Sequence, residues 1–566
     1  MYPNQKHGQW KQGMTNITNL NEWKALQNHF EEIQDKHLND LFAASPNRFN
    51  EFSLNVGDIF LDYSKNRITL KTLKLLINLA KQQNLENKIK KLFSGDPINT
   101  TENRPALHTA LRNLQAKKLV INNKNILTDI KSTLDKMQKL SDKIRNKQWL
   151  GSTGKPITDI VNVGIGGSHL GPMTTCHALS DYADKKLRCH FVSNIDANHL
   201  YNIINKINPE TTLVIISSKS FSTLETITNA KSILSFFKIK LNKFDINKHF
   251  TAVTSNQKAA KLFGINEDNI FKIENFVGGR YSIWSPIGLP LAILIGMENF
   301  KQFLSGAFLM DTHFQTAPFD KNMPVLMALL SVWYINFFKS SNHAIVNYSH
   351  NLQGLPSYLQ QLEMESNGKL ISLNGDSLDI MTSPVIFGEQ GSNAQHSFHQ
   401  LFHQGPHIIP IDFILEAPND KKHQQHRKIL VGSAISQAQA LMRGKSYDEA
   451  LHELLNTGFE DKDAKVLAHH KQIPGNRPSN MLIIKRLTPK ALGSLLALYE
   501  HKTFVQGIIW GVNSFDQFGV ELGKSLLQNI LTKLDDDTSV TEADFDASTL
   551  GLVNHIKVLG ETNENI

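Results

Sequence analysis

The sequence predicts an α/β protein built as two sandwiches of mainly parallel sheet covered by helices, with a helical stretch ahead of them. Three observations carry this. Over residues 20–147 apolar side chains recur three and four apart, with Lys, Asn and Gln between them, which is the spacing of amphipathic helices. After Gly151 short β-rich runs alternate with helical stretches, the order expected of parallel strands joined by crossover helices. Those runs fall into two sets, so two sheets are expected rather than one long one.

Taken in order, residues 52–67 (FSLNVGDIFLDYSKNR) break the first helical pattern and read as a short strand pair or loop packed on it. The first strand set is 160–165, 190–193, 213–217 and 250–254; the second is 344–348, 385–387, 408–414 and 481–484. Residues 325–338 form the longest apolar stretch, but Ser331 and Asn336 interrupt it and it falls short of about 20 residues, so it reads as a buried helix and not a membrane span. No stretch has linker composition. The two halves should pack closely, with ligands at the carboxyl ends of strands or between the halves.

With 566 residues, 40% hydrophobic and 20% charged, the chain is long enough for several cores and is neither disordered nor fibrous. Sixty Lys and Arg against 52 Asp and Glu leave a dilute +8 without a basic run, so a nucleic-acid role is a poor reading. Cys176 and Cys189 are too few for a disulfide framework or a thiolate metal site and fit a reducing compartment. Residues 1–10 are polar and lack the apolar core of a secretory segment, which makes the cytoplasm the expected location.

Several motifs could carry chemistry. Val163-Gly164-Ile165-Gly166-Gly167-Ser168 follows a buried-strand run and precedes helix-like residues 173–179; it reads either as a ligand-binding turn or as tight strand–helix packing. Its third-glycine position is His169, so the dinucleotide fingerprint fails. Ser217-Ser218-Lys219-Ser220-Phe221-Ser222-Thr223 sets five hydroxyls and one ammonium before a helix start, a phosphate cradle that needs no metal; helix capping would explain one or two of those hydroxyls. Gly523-Lys524-Ser525 is no nucleotide-binding loop, because Phe518 stands where glycine is required.

In Gln361-Leu362-Glu363-Met364-Glu365-Ser366-Asn367-Gly368-Lys369, Gln361 and Glu365 share a face if residues 358–365 are helical, and Gly368 would cap the helix. Near that negative helix end, and if buried, Glu365 would be pushed toward a general base; taken alone it reads as an ordinary surface carboxylate, as most Glu residues are. His396, His399 and His403 could line one helical face, but without the zinc-protease Glu or an acid cluster, metal binding is not expected; one of them could act as acid or base. Arg280, between Gly279 and Tyr281, could aim a fixed cation at developing negative charge, and Lys524 could meet a ligand oxygen; a salt bridge is the alternative for each.

Together, VGIGGSHLGP (163–172), SSKSFSTLET (217–226), GGRYSIWSPIG (278–288), MESNGK (364–369), GEQGSNAQHSFHQLFHQG (388–405) and GIIWGVNSFDQFGVELGK (507–524) closely resemble the glucose-6-phosphate isomerase (phosphoglucose isomerase) family, and the likeness covers about residues 45–525. The resemblance implies an α/β fold of two sugar-isomerase-type αβα domains with helical N- and C-terminal segments. It places a helical segment over 1–120 packing on the second domain, the first αβα domain with the phosphate loop over 121–290, the second with the base, histidine and lysine motifs over 291–525, and a tail over 526–566.

It further implies a metal-free, cofactor-free aldose–ketose isomerase acting on glucose 6-phosphate and fructose 6-phosphate in glycolysis and gluconeogenesis. By that resemblance Glu365 is the base, Arg280 stabilises an enediolate, and His396 and Lys524 open the sugar ring. Gly167, Ser168, Ser218, Lys219, Ser220, Ser222, Thr223, Gln361 and Gln517 form the shell around substrate and phosphate. A homodimer whose histidine reaches the partner's site is implied, with no nucleic-acid or membrane partner. Ser220 and Ser222 stand where the family often has Thr, and Leu224 where Gln is common. The acidic patch Asp535–Asp537 leaves the role of the tail open.

Overall fold

The structure is a computed structural model describing residues 16–417, 423–535 and 542–563. Residues 1–10 and the pair Asp536–Asp537, on which the sequence reading drew, lie outside the described residues. The chain divides into two units, one ending at Ser514 and one beginning at Phe515.

Residues 52–67 fold as an antiparallel hairpin, β1 (Ser53–Val56) and β2 (Ile59–Asp62). A second, minimal hairpin, β3 (Val120–Ile121) with β4 (Lys124–Asn125), has no counterpart in the sequence reading. The first large sheet comprises β5 (Asp159–Val163), β6 (Arg188–Val192), β7 (Thr212–Ser217), β8 (Phe250–Thr254) and β9 (Ile270–Lys272). Every pairing in it is parallel and the order is β6-β5-β7-β8-β9. β5, β7 and β8 are buried along their whole length, as parallel strands covered by helices on both sheet faces are.

The second sheet contains β10 (Asn342–Tyr348), β11 (Val385–Gln390), β12 (Ile411–Glu416) and β13 (Ser479–Ile484), all parallel among themselves, and β2 joins it antiparallel to β13. The order β1-β2-β13-β12-β10-β11 thus makes the N-terminal hairpin the sheet's edge. The expected strand 408–414 begins later, at Ile411; Pro410, which has no N–H to give a ladder, lies before it. Residues 325–338 form a buried helix as expected, Met323–Val332, which widens into a π-helical turn at Trp333–Phe337. Among the described residues no helix is long and apolar enough to cross a membrane.

The helix Pro489–Trp510 is buried on all sides, so its polar groups must be paired internally. Arg112, with no exposed surface, donates from Nε to Asp311 Oδ2 (2.7 Å) and from one terminal nitrogen to Glu500. Glu500 also accepts from Trp284 Nε1 (2.7 Å), and Asp311 Oδ1 pairs with His501 Nε2 (2.7 Å). Lys502 Nζ and Gln506 Nε2 donate to the two oxygens of Glu363 at 2.7 and 2.8 Å. Losing one partner of such a buried pair costs about 3–5 kcal/mol, so this network locks the helix against the segment that carries the site.

Candidate active site

In the first sheet the strand order reverses between β5 and β7, since β6 lies on one side of β5 and β7 on the other. A crevice at the carboxyl ends of two such strands is where open α/β sheets bind ligands. Two helix N-termini meet it. The helix Gly167–Ala178 follows β5 and begins earlier than the expected residue 173, and Leu224–Lys240 follows β7. Gly166 reverses the chain at φ +59°, ψ −125°, a conformation reserved for glycine.

The hydroxyl loop divides its labour. Ser217 Oγ is buried and donates to Asn162 Oδ1 (2.8 Å), while Asn162 Nδ2 donates to Ser168 O (3.0 Å), so this pair ties β7, β5 and the glycine turn together. Ser218 Oγ accepts from the Phe221 amide (3.1 Å) and lies 3.3 Å from Thr223 Oγ1. Ser222 Oγ donates to Ser220 Oγ (2.8 Å), and both of these side chains are exposed. The Lys219 side chain turns toward another loop. Its ammonium donates to Asn275 O (3.1 Å) and Val277 O (2.8 Å), and so braces the loop before Arg280 instead of joining the hydroxyls. Burial, helped by the nearby Arg104, pushes this amine down to about 8. Thr226, in the first turn of the helix behind the loop, is buried with its hydroxyl unpaired; the sequence reading did not single it out.

Glu365 sits on an unforeseen local structure. Leu355–Leu359 is α-helical, but Gln360–Glu365 is a π-helical turn, and widened turns of this kind recur at functional sites. Gln361 Nε2 donates to Glu365 Oε2 (3.0 Å), so the two do share a face. Arg280 Nη1 lies 3.5 Å from the same oxygen, too long for a strong hydrogen bond but close enough for charge attraction. The Glu365 carboxylate keeps 24% exposure while the Arg280 side chain keeps 2%. The helical run ends at Asn367-Gly368 as expected, the Gly368 amide donating to Met364 O at 2.9 Å; Gly368 is not left-handed, and Met364 O lies 2.6 Å from where its Cβ would stand.

The glycine turn and the base turn touch. A Cβ on Gly166 would lie 3.1 Å from Gln361 Nε2, so the residue beside Glu365 rests on the turn that precedes Ser168. Gly279 O approaches Gly167 closely, which seats the Arg280 turn, Gly279–Tyr281, against the same helix start. The structure therefore gathers Gly167, Ser168, Arg280, Gln361 and Glu365, with the hydroxyl loop on the adjoining strand end.

His396 ends the short helix Gly391–Gln395 and is exposed. A separate helix, His399–Gln404, starts after it, so the three histidines do not share one helical face. His399 Nδ1 (3.1 Å) and His403 Nε2 (2.8 Å) are both engaged by Gln437 Oε1. In the second unit Gln517 precedes the turn Phe518–Val520, and Lys524 is exposed on the helix Glu521–Leu534.

The phosphoglucose isomerase family model matches residues 62–553. A glucose-6-phosphate isomerase of Shewanella sp. (strain ANA-3) is 49% identical over 542 residues, covering 96% of this chain and 99% of its own. One of Methylococcus capsulatus is 46% identical over 547 residues, with 96% and 100% covered. The crystal structure of a glucose-6-phosphate isomerase from Chlamydia trachomatis superposes with a TM-score of 0.82 at 30% identity, over 96% of this chain and all of that one.

Proposed function

The chain belongs to the phosphoglucose isomerase family, and from that membership we propose how its residues carry out the family's reaction. The activity is the reversible isomerisation of glucose 6-phosphate and fructose 6-phosphate. The observation that carries the assignment of roles is the contact set of Glu365: a half-buried carboxylate facing a fixed guanidinium, on a turn that rests against the glycine-rich helix start.

The phosphate binds at the crevice between β5 and β7, held by the Ser218, Ser220, Ser222 and Thr223 hydroxyls and by the amides of Gly167, Ser168 and Lys219, with two helix N-termini favouring its charge. Because this group is remote from the reacting carbons, its binding energy is available for orientation. His396 and Lys524 open the ring, moving a proton between the anomeric hydroxyl and the ring oxygen. Glu365 then takes the C2 proton; the electron pair forms the C1–C2 double bond and the carbonyl oxygen becomes the enediolate oxygen. Arg280 stabilises that charge. The hydroxyl proton of O2 then passes to O1, the same carboxyl returns its proton to C1 and the C2 oxygen becomes the carbonyl; the exchange of oxidation level between C1 and C2 is internal, so no redox partner enters the balance. Gln361 and Gln517 hold sugar hydroxyls.

A positioned base supplies about 10²- to 10⁴-fold, and a fixed cation a comparable factor of about 10²–10³. His396 is exposed in a single chain, which suits a residue that completes the site of a second copy; the functional unit proposed is a homodimer in the cytoplasm. A coupled assay on fructose 6-phosphate with EDTA present, comparing wild type with Glu365→Gln, tests the assignment. Turnover by the first and a loss of two or more orders of magnitude in the second supports it; equal rates refute it.

A further inference from the structure

Arg280 and Tyr281 are consecutive, and both reach the same two oxygens. Arg280 Nε donates to Ser366 Oγ at 2.6 Å and Nη2 donates to Ser514 O at 2.7 Å. The Tyr281 hydroxyl lies 3.0 Å from Ser366 Oγ and 3.5 Å from Ser514 O. Ser366, fully buried, is the residue that follows Glu365, and its own carbonyl is held by Lys369 Nζ at 2.7 Å. Tyr281 is fixed from the other side by His108, stacked on its ring at 4.7 Å.

A guanidinium is a rigid planar fork. Once Nε and Nη2, on one edge, are tied to Ser366 and Ser514, the plane and the direction of Nη1 are determined, and Nη1 is the nitrogen nearest Glu365. We infer that the Ser366 hydroxyl is a positioning residue for the reaction: by binding Arg280 Nε from the position next to Glu365, it fixes cation and base in one frame, with the Tyr281 hydroxyl as its support. This rests on the roles proposed above for Glu365 and Arg280. A cation aimed in advance loses no energy to reorientation as the enediolate charge develops, whereas a loose one does. Burial pushes the Tyr281 phenol up, so it remains a neutral hydroxyl partner.

The test is a double-mutant cycle on steady-state kinetics with fructose 6-phosphate, using Ser366→Ala, Arg280→Lys and both together, each checked for an unchanged melting profile. Ser366→Ala is expected to lower kcat about tenfold with KM within a factor of about three, since the phosphate grip is elsewhere. In the Arg280→Lys background, where no planar fork remains to be aimed, it is expected to cost nothing further. A cost multiplying through in both backgrounds, or none in the wild type, overturns the inference. If Arg280→Lys alone leaves kcat unchanged, it is the proposed role of Arg280 that fails instead. Should Ser366→Ala not fold, Tyr281→Phe takes its place in the same cycle, with a smaller loss of about threefold in kcat expected in the wild type and none beside Arg280→Lys; equal losses in the two backgrounds count against the inference.

Discussion

Gly167 and Gly279 meet backbone to backbone: a Cβ on Gly167 would stand 2.1 Å from the Gly279 carbonyl oxygen. Two segments far apart in sequence are thereby brought to one point, the start of the helix Gly167–Ala178 and the turn that carries Arg280. Because the obstacle is backbone, Gly167→Ala must displace one of them. The expected outcome is a kcat reduced tenfold or more and a melting temperature lowered by several degrees, consistent with about 1–3 kcal/mol of overpacking strain. Kinetics and calorimetry on the variant check this, and an alanine variant with wild-type kcat would show that the two turns are not coupled.

The hydroxyls of the serine loop should act on binding more than on chemistry. Hydrogen bonds to a charged group are worth about 1.5–3 kcal/mol, so Ser220→Ala and Thr223→Val are each expected to raise KM, and the inhibition constant of inorganic phosphate, about tenfold or more. Changes in kcat should be smaller. Lys219→Met should behave differently, because its ammonium grips Asn275 O and Val277 O: hydrogen exchange at residues 275–281 should quicken.

His169 supplies a pH signature. Burial, and then the neighbouring His199 and His177, hold this imidazole down at about 4. Its folded value thus lies below the unfolded one, so between pH 6.5 and 4 the unfolded chain binds the proton more readily, and stability falls as pH falls through that window, by up to about 3 kcal/mol. Denaturant midpoints of wild type and His169→Gln measured from pH 7 to 4 should diverge, the wild type losing more. Parallel curves would mean that the ring protonates in the folded state.

The exposed position of His396 makes a shared site testable by complementation. If each site takes its base from one subunit and its histidine from the other, a heterodimer of Glu365→Gln and His396→Ala chains holds one intact site and one doubly impaired site. Statistical mixing of the two inactive variants should restore up to about a quarter of wild-type activity. No gain on mixing, with heterodimers verified by mass spectrometry, would place base and histidine on the same chain.

Much of this was legible in the sequence because the responsible physics is local. β7 is covered on both faces and so carries the continuous apolar run Leu213–Ile216, and residues 52–67, which mix aromatics with Gly and Asp and read as a strand pair or loop, fold as a hairpin. β9 escaped because Ile270–Lys272 is only three residues long. The π-helical turn at Gln360–Glu365 was invisible for another reason: shifting hydrogen bonds from i+4 to i+5 leaves residue types unchanged. The motifs named Glu365 and Arg280, but not the Ser366 hydroxyl between them, nor the direction of Lys219, since both depend on which distant carbonyls and side chains the fold brings near.

The most direct measurement of the central claim is hydrogen exchange followed by NMR. In D2O, wild-type enzyme with glucose 6-phosphate should place deuterium at C2 of the sugar and at C1 of the ketose, because a proton held on a half-exposed carboxylate exchanges with solvent. Glu365→Gln, folded and still binding phosphate, should leave both positions unlabelled over the same period. Labelling at the wild-type rate in that variant would mean that another group removes the proton, and the account given for Glu365 would be wrong.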